Sequence, residues 1–173
     1  MTRLDQESSA RARRIAVAGA AVAACCLATS LLAVAQDQSA ATAKDVIWAR
    51  KTLMNSIMDR MDKIAAMISL GKIDLPAARS HADTMSAMFV AFPHLFPPSS
   101  NLWKENADLE PVTDTIASPE IWTNYPDFYQ RAAAAAKTAR DMSRADSEDE
   151  IKRLNRALGI ACDTCHALYL KEQ

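Results

Sequence analysis

From Val46 onward, apolar residues recur every three or four positions, and no segment keeps up the two-residue alternation of a strand. Val46, Ala49, Leu53, Ile57, Met61, Ile64 and Ile68 form one stripe, with Ile47, Met54 and Met58 beside it. This predicts a helix over about 44–70 with a wide buried face. Gly71 is placed to stop it in a left-handed conformation. Asp74 can cap a second helix, with Pro76 tolerated in its first turn. Ala78, Ala82, Met85, Phe89 and Phe92 give its buried face, and Pro93 ends it. Residues 93–118 hold four prolines and form a long connection, expected to cross the bundle end rather than to bind a ligand. Ser118-Pro119 opens a short helical turn carrying Trp122. Asn124-Tyr125-Pro126 restarts the chain into a third helix, about 126–144, whose Ala132–Ala136 run is slim enough for close packing. Ser147-Glu148-Asp149-Glu150 reads as a capping box, with Glu150 reaching back to the Ser147 amide. A fourth helix follows to about Leu170, with Ile151, Leu154, Leu158 and Ala161 facing inward. Four amphipathic helices and one long connection predict an all-α chain folded as an antiparallel four-helix bundle.

The residues before this pattern read differently. Arg3, Arg11, Arg13 and Arg14 precede a 21-residue apolar run, Ile15 to Ala35, and Ala33-Val34-Ala35 fits the small-x-small rule for signal cleavage. Residues 1–35 are therefore expected to be a signal peptide, and residues 36–173 the helical domain. Uncleaved, the run is long enough to serve as a membrane anchor. Val22-Ala23-Ala24-Cys25 loosely resembles a lipoprotein site, but the apolar run continues past it. Of the 20 Lys and Arg, four precede residue 36, and of the 21 Asp and Glu, two do. That leaves 16 against 19, a formal charge of −3 with the signs interspersed. Such a balance gives no basis for nucleic-acid binding.

Cleavage would also remove Cys25 and Cys26, leaving Cys162 and Cys165 and no disulfide framework. These two lie in Cys162-Asp163-Thr164-Cys165-His166, which reads C-x-x-C-H, the attachment motif of a c-type haem. Two thiols add across the two vinyl groups of one porphyrin, and the next residue offers an imidazole to the iron. On a helix the three residues stand at i, i+3 and i+4 and project from one face. Haem of this kind is attached outside the cytoplasm, so an export signal and the motif support each other. Two alternatives stay open. A thioredoxin-like dithiol would sit at a helix start after a strand, and no strand is predicted. A zinc site would need a fourth ligand, for which only His81 and His94 remain.

The arrangement resembles the class II c-type cytochromes, the cytochrome c′ family, over about residues 44–171. The resemblance rests on C-x-x-C-H near the C-terminus, on Ala49-Arg50-Lys51-Thr52-Leu53-Met54, on Leu95-Phe96-Pro97 and on Pro119-Glu120-Ile121-Trp122. It implies a bundle with one haem c between the helices, thioethers at Cys162 and Cys165, and His166 as the proximal iron ligand. It further implies that Arg50 lies near a haem propionate, that Met54 faces the distal side of the iron, and that Trp122 and Phe96 are aromatic neighbours of the haem. Many members carry a basic residue four positions after the haem histidine; here that position is Leu170. Each implied role has an ordinary counterpart. Arg50 could be a surface arginine and Met54 a core filler, as Met58, Met61, Met85 and Met88 are expected to be. Trp48, Trp103 and Trp122 could be core or interface anchors, and His81 and His94 exposed or capping residues.

These readings converge on a periplasmic, non-enzymatic monohaem cytochrome that passes one electron between redox partner proteins, with iron held by His166 and Met54. The alternatives are a five-coordinate haem that binds diatomic gases such as NO or CO, and a dithiol or zinc protein without haem. The resemblance also allows a homodimer through the first two helices. No membrane contact is expected unless the leader stays in place.

Overall fold

The computed structural model describes residues 42–105, 110 and 114–171, so the leader and its cleavage site lie outside the described residues. Among the described residues five α-helices follow in order: α1 Ala43–Ser69, α2 Leu75–Ala91, α3 Glu120–Thr123, α4 Tyr125–Met142 and α5 Glu148–Tyr169. The four long ones are the four predicted, and α3 is the predicted turn around Trp122. No described helix is long and apolar enough to cross a membrane.

The helix ends follow their capping chemistry. Thr42 begins α1 with a reciprocal box that the sequence reading missed. The Asp45 amide donates to Thr42 Oγ1 (3.2 Å), and the Thr42 amide donates to Asp45 Oδ2 (2.9 Å). Asp74 caps α2 by accepting from the Ala77 amide. The box expected at Ser147 is only half made. Ser147 Oγ accepts from the Glu150 amide, but Glu150 Oε2 accepts from the Asp146 amide, one residue earlier than expected. Gly71 has φ +63°, the left-handed turn that ends α1 and that a Cβ would oppose. Short connections make α1 and α2, and likewise α4 and α5, antiparallel neighbours.

The main core is built by α2 against α4, α4 against α5 and α1 against α2, around Ile57, Met85, Ala139, Met142 and Leu158. Alanines at 132, 135, 136 and 139 let α4 approach its neighbours closely, and the buried Ser86 hydroxyl donates to Ala136 O at 3.1 Å, joining α2 to α4. On α1 the buried positions are Ile47, Arg50, Ile57 and Ile64, so the stripe runs deeper along Ile47 than along Val46 and Ala49, and Arg50 occupies one of its core positions. A second, aromatic cluster of Phe96, Phe128 and Tyr169, with Ala117 and Ile121, closes one end.

The long connection does more than cross that end. It folds into two single 3₁₀ turns, Phe92–Leu95 and Pro98–Ser100, so Pro93 sits inside a turn instead of simply ending α2. Its far part then pairs with the chain leaving α5. The Ser118 amide donates to Tyr169 O and the Lys171 amide to Ile116 O, both at 2.9 Å. The aromatic side chains pin the rest. Trp122 Nε1 donates to Phe96 O (3.0 Å), and the Tyr125 hydroxyl donates to Pro93 O (2.9 Å).

Candidate cofactor site

α1 and α5 approach each other at few points, and between them lies a largely apolar cavity of about 280 Å³. It separates the two core clusters. Cys162 packs against the main core and Cys165 against the aromatic one, so the two cysteines sit on α5 where the two clusters meet. On α5, residues 161, 162, 165, 166 and 169 are buried or half-buried, while 163, 164, 167 and 168 are exposed. The i, i+3, i+4 spacing thus places Cys162, Cys165 and His166 together on the wall of one cavity.

Opposite them, α1 supplies Arg50 and Met54, one turn apart, with Met58 a further turn along. The connection that was expected merely to cross the bundle end adds Phe96, Thr115, Ile116 and Ala117 to the wall. Met58, expected as a core filler, is half exposed at the cavity's edge, whereas Met85 is fully buried in the core. Trp122 stands behind the wall: its ring lies against Phe96, with centroids 5.9 Å apart, and does not line the cavity. Of the other tryptophans, Trp48 is exposed, and Trp103 lies beneath the Lys171 ammonium, 5.1 Å from its ring.

Arg50 is the most informative wall residue. It is only 4% exposed, and its guanidinium donates to Ser100 Oγ (3.1 Å) and Thr115 Oγ1 (2.6 Å). It also sits over the Phe96 ring at 4.6 Å and near Trp122 at 5.7 Å. Among the described residues it has no carboxylate partner. Burial pulls its pKa down to about 10, which still leaves it a cation at neutral pH. A buried cation answered by hydroxyls, the Ser100 carbonyl and ring faces, with no anion beside it among the described residues, is costly, and an anionic group entering the cavity would offset that cost.

The cysteines are free, and burial holds both as thiols. Cys162 is pushed up to about 11 by desolvation, reinforced by the neighbouring Cys165 and Asp163 charges, and Cys165 is raised by desolvation although Arg131 opposes it. A redox-active dithiol needs the opposite, a depressed thiol pKa. Among the described residues no three His, Cys, Asp or Glu side chains gather to hold a metal ion. His81, half-buried, faces Arg60 across α1 and α2, and His94, exposed, packs edge-on to Tyr129. Among the described residues, the zinc alternative therefore finds no gathered set of ligands.

Sequence reasoning missed Ser100, Thr115, Phe128, Arg131 and Tyr169. The first two lie in a connection without periodicity, where nothing local marks a hydroxyl as an arginine's partner. Tyr169 did carry a signal: it falls three residues after His166 on the same helix face.

An apolar slot between helices, with two thiols and an imidazole on one wall and, on the other, a guanidinium without a carboxylate partner among the described residues, suits a planar apolar group that bears carboxylates. That is the site of a helical-bundle haem protein. A family model described as cytochrome c′ matches residues 45–169. Cytochrome c-556 from Agrobacterium tumefaciens (strain II Chrys) is 31% identical over 124 residues, covering 69% of this chain and 92% of the relative. Among solved structures, cytochrome c′ from Shewanella frigidimarina is 22% identical with a TM-score of 0.65, covering 78% of this chain and all of the other. A nitric oxide complex of a cytochrome c′ variant from Alcaligenes xylosoxidans is 16% identical with a TM-score of 0.64, covering 76% and 98%. The chain belongs to the cytochrome c′ family.

Proposed function

We propose that the protein is a periplasmic monohaem c-type cytochrome that carries one electron, with haem attached at Cys162 and Cys165 and iron held between His166 and Met54. The observation that carries this reading is that Met54 and His166 line the same cavity from facing helices, α1 and α5. When bound, the haem supplies a one-electron couple. The protein's residues do the rest. The two cysteines tether the group to α5, and His166, on the same turn, offers its imidazole to the metal. The aromatic cluster and the alanines of α4 give the cavity apolar walls. Arg50, fixed by Ser100 and Thr115, is ready to bond a propionate. No residue here is assigned to chemistry on a substrate, so the role is that of a carrier for redox partner proteins. The predicted leader at residues 1–35 supports export, and a homodimer through α1 and α2 is consistent with the exposed Trp48 on α1 and Val90 on α2.

One observation favours a second reading. The wall opposite His166 is built from flexible methionines, with Met58 half exposed, and a cytochrome c′ of the same fold has been solved as a nitric oxide complex. In that reading the iron stays five-coordinate, Met54 only crowds the open face, and NO or CO binds. Absorption spectra of the purified protein, ferric and ferrous, with and without CO, decide between the two. A low-spin spectrum that changes slowly under CO supports the electron carrier. A high-spin spectrum with immediate CO binding overturns it in favour of the gas-binding reading.

A further inference from the structure

Two arginines line the cavity, and they are held in opposite ways. Arg50 donates to hydroxyls and a backbone carbonyl and has no carboxylate partner among the described residues. Arg131, on α4, is clamped: its Nε donates to Asp127 Oδ2 at 2.6 Å, and the same oxygen accepts the Tyr169 hydroxyl at 2.6 Å. An i, i+4 pair on an exposed helix face is normally loose and contributes little. Here a third member comes from another helix. Tyr169 is buried, its ring stacks edge-on against Phe128 with centroids 5.3 Å apart, and its carbonyl accepts the Ser118 amide. The pair is thereby fixed across α4 and α5.

The clamp has a direction. Arg131 and Tyr169 line both the main cavity and a second, shallower one beyond it, whereas Asp127 lines only the second. Of the pair, only the arginine lines the main cavity, and the carboxylate lines only the second. The Tyr169 that holds the pair stands three residues past His166 on the same face of α5, so the pair lies on the His166 side of the cavity. Leu170, on α5 just past His166, brings no charge there.

We infer that Arg131 is a positioning residue for electron transfer: held by Asp127 and Tyr169, it sets a positive charge against the His166 side of the haem and raises the reduction potential. This rests on the haem reading above. Reduction lowers the net positive charge at the iron, so a nearby cation favours the ferrous form and a nearby anion the ferric form. Because Arg131 lies nearer the cavity than Asp127, its effect outweighs that of its partner.

The test is a spectroelectrochemical titration of the mature holoprotein. Arg131→Gln should shift the midpoint potential down, Asp127→Asn should shift it up, and Arg131→Lys, which keeps the charge, should stay near wild type. A residue that only braced the α4–α5 interface would not produce shifts of opposite sign. An unmoved potential in Arg131→Gln, or shifts of the same sign in the Gln and Asn variants, overturns the inference. Should Arg131→Gln fail to accumulate, Asp127→Asn carries the test, and a potential that does not rise overturns it. A wild-type protein without covalent haem overturns the haem reading and this inference together, and it is told apart by the missing haem spectrum.

Discussion

Arg50 donates to Thr115 Oγ1 at 2.6 Å, a bond that closes 65 residues of chain and joins the first helix to the last stretch of the long connection. Both residues are buried. Thr115 Oγ1 in turn accepts the Ala117 amide at 3.0 Å, just where the chain pairs with the end of α5. One hydroxyl therefore links the cation of the cavity to the segment that covers it. Thr115→Val keeps the shape and removes the acceptor, leaving a buried N–H of the guanidinium and a backbone amide without this partner. We expect a loss of about 1–3 kcal/mol, the usual cost of a buried donor left unmade. Denaturant unfolding of the holoprotein checks it, and a midpoint equal to wild type would show that water or the cofactor already satisfies those donors.

The pairing of His81 with Arg60 makes stability fall in mild acid. Arg60 Nη1 lies 3.4 Å from His81 Nδ1, so Nδ1 serves as acceptor and the ring is neutral. Desolvation, then the charges of Arg60 and Lys63, hold its pKa below the ordinary 6.5, with Asp59 opposing. In the unfolded chain the ring takes up a proton near 6.5; in the folded chain it does so only at lower pH. Between those two values the unfolded state binds more protons, so stability is fully present above 6.5 and is lost as pH falls through the folded pKa. His81→Gln should flatten this limb. Thermal unfolding of both proteins between pH 7.5 and about 5 measures it, and parallel curves would refute the assignment.

Most of the fold was legible because its signal is periodic. Ala78, Ala82, Met85 and Phe89 repeat at helical spacing and are the buried face of α2, and C-x-x-C-H at i, i+3, i+4 does face one cavity. What escaped was contact without periodicity. Nothing near Ser100 or Thr115 in the sequence announces a guanidinium 50 or 65 residues away. Arg50 sits in register with Ile57 and Ile64, seven residues apart each time, so the stripe itself marked it as buried. Charge alone suggested a surface residue. Trp122, an aromatic residue that the family resemblance put near the haem, stands behind the wall residue Phe96, bonded to the Phe96 and Pro97 carbonyls, a contact that no periodicity announces.

The two cysteines should hold the haem through acid and organic solvent. Wild-type protein extracted with acidified acetone is expected to keep its colour, and Cys162→Ala with Cys165→Ala to yield no covalent haemoprotein. His166→Ala leaves both thioethers available but removes the imidazole, so covalent haem should remain with an altered spectrum and a lower unfolding midpoint, because binding and helix packing are coupled. A spectrum identical to wild type in that variant would assign the iron to another residue.

Met54 is where the two functional readings part. Its thioether is a competent ligand to haem iron, and an unbranched side chain with three rotatable bonds can adjust to reach it. Met54 is half-buried and faces the cavity one turn beyond Arg50, so the guanidinium that would bond a propionate and the sulfur that would meet the iron lie on one face of α1. If the sulfur binds, coordination is the same in both oxidation states, electron transfer needs little rearrangement, and an incoming gas must first displace the ligand. Met54→Ala removes the sulfur and leaves a gap in the wall opposite His166. For the electron carrier, wild type should be low-spin and slow to bind CO, and the variant high-spin and quick. Electron exchange with a small-molecule reductant should slow in the variant as water enters the vacated position. If wild type is already high-spin and the substitution leaves its spectrum unmoved, Met54 is only a wall, and the cavity belongs to a diatomic ligand.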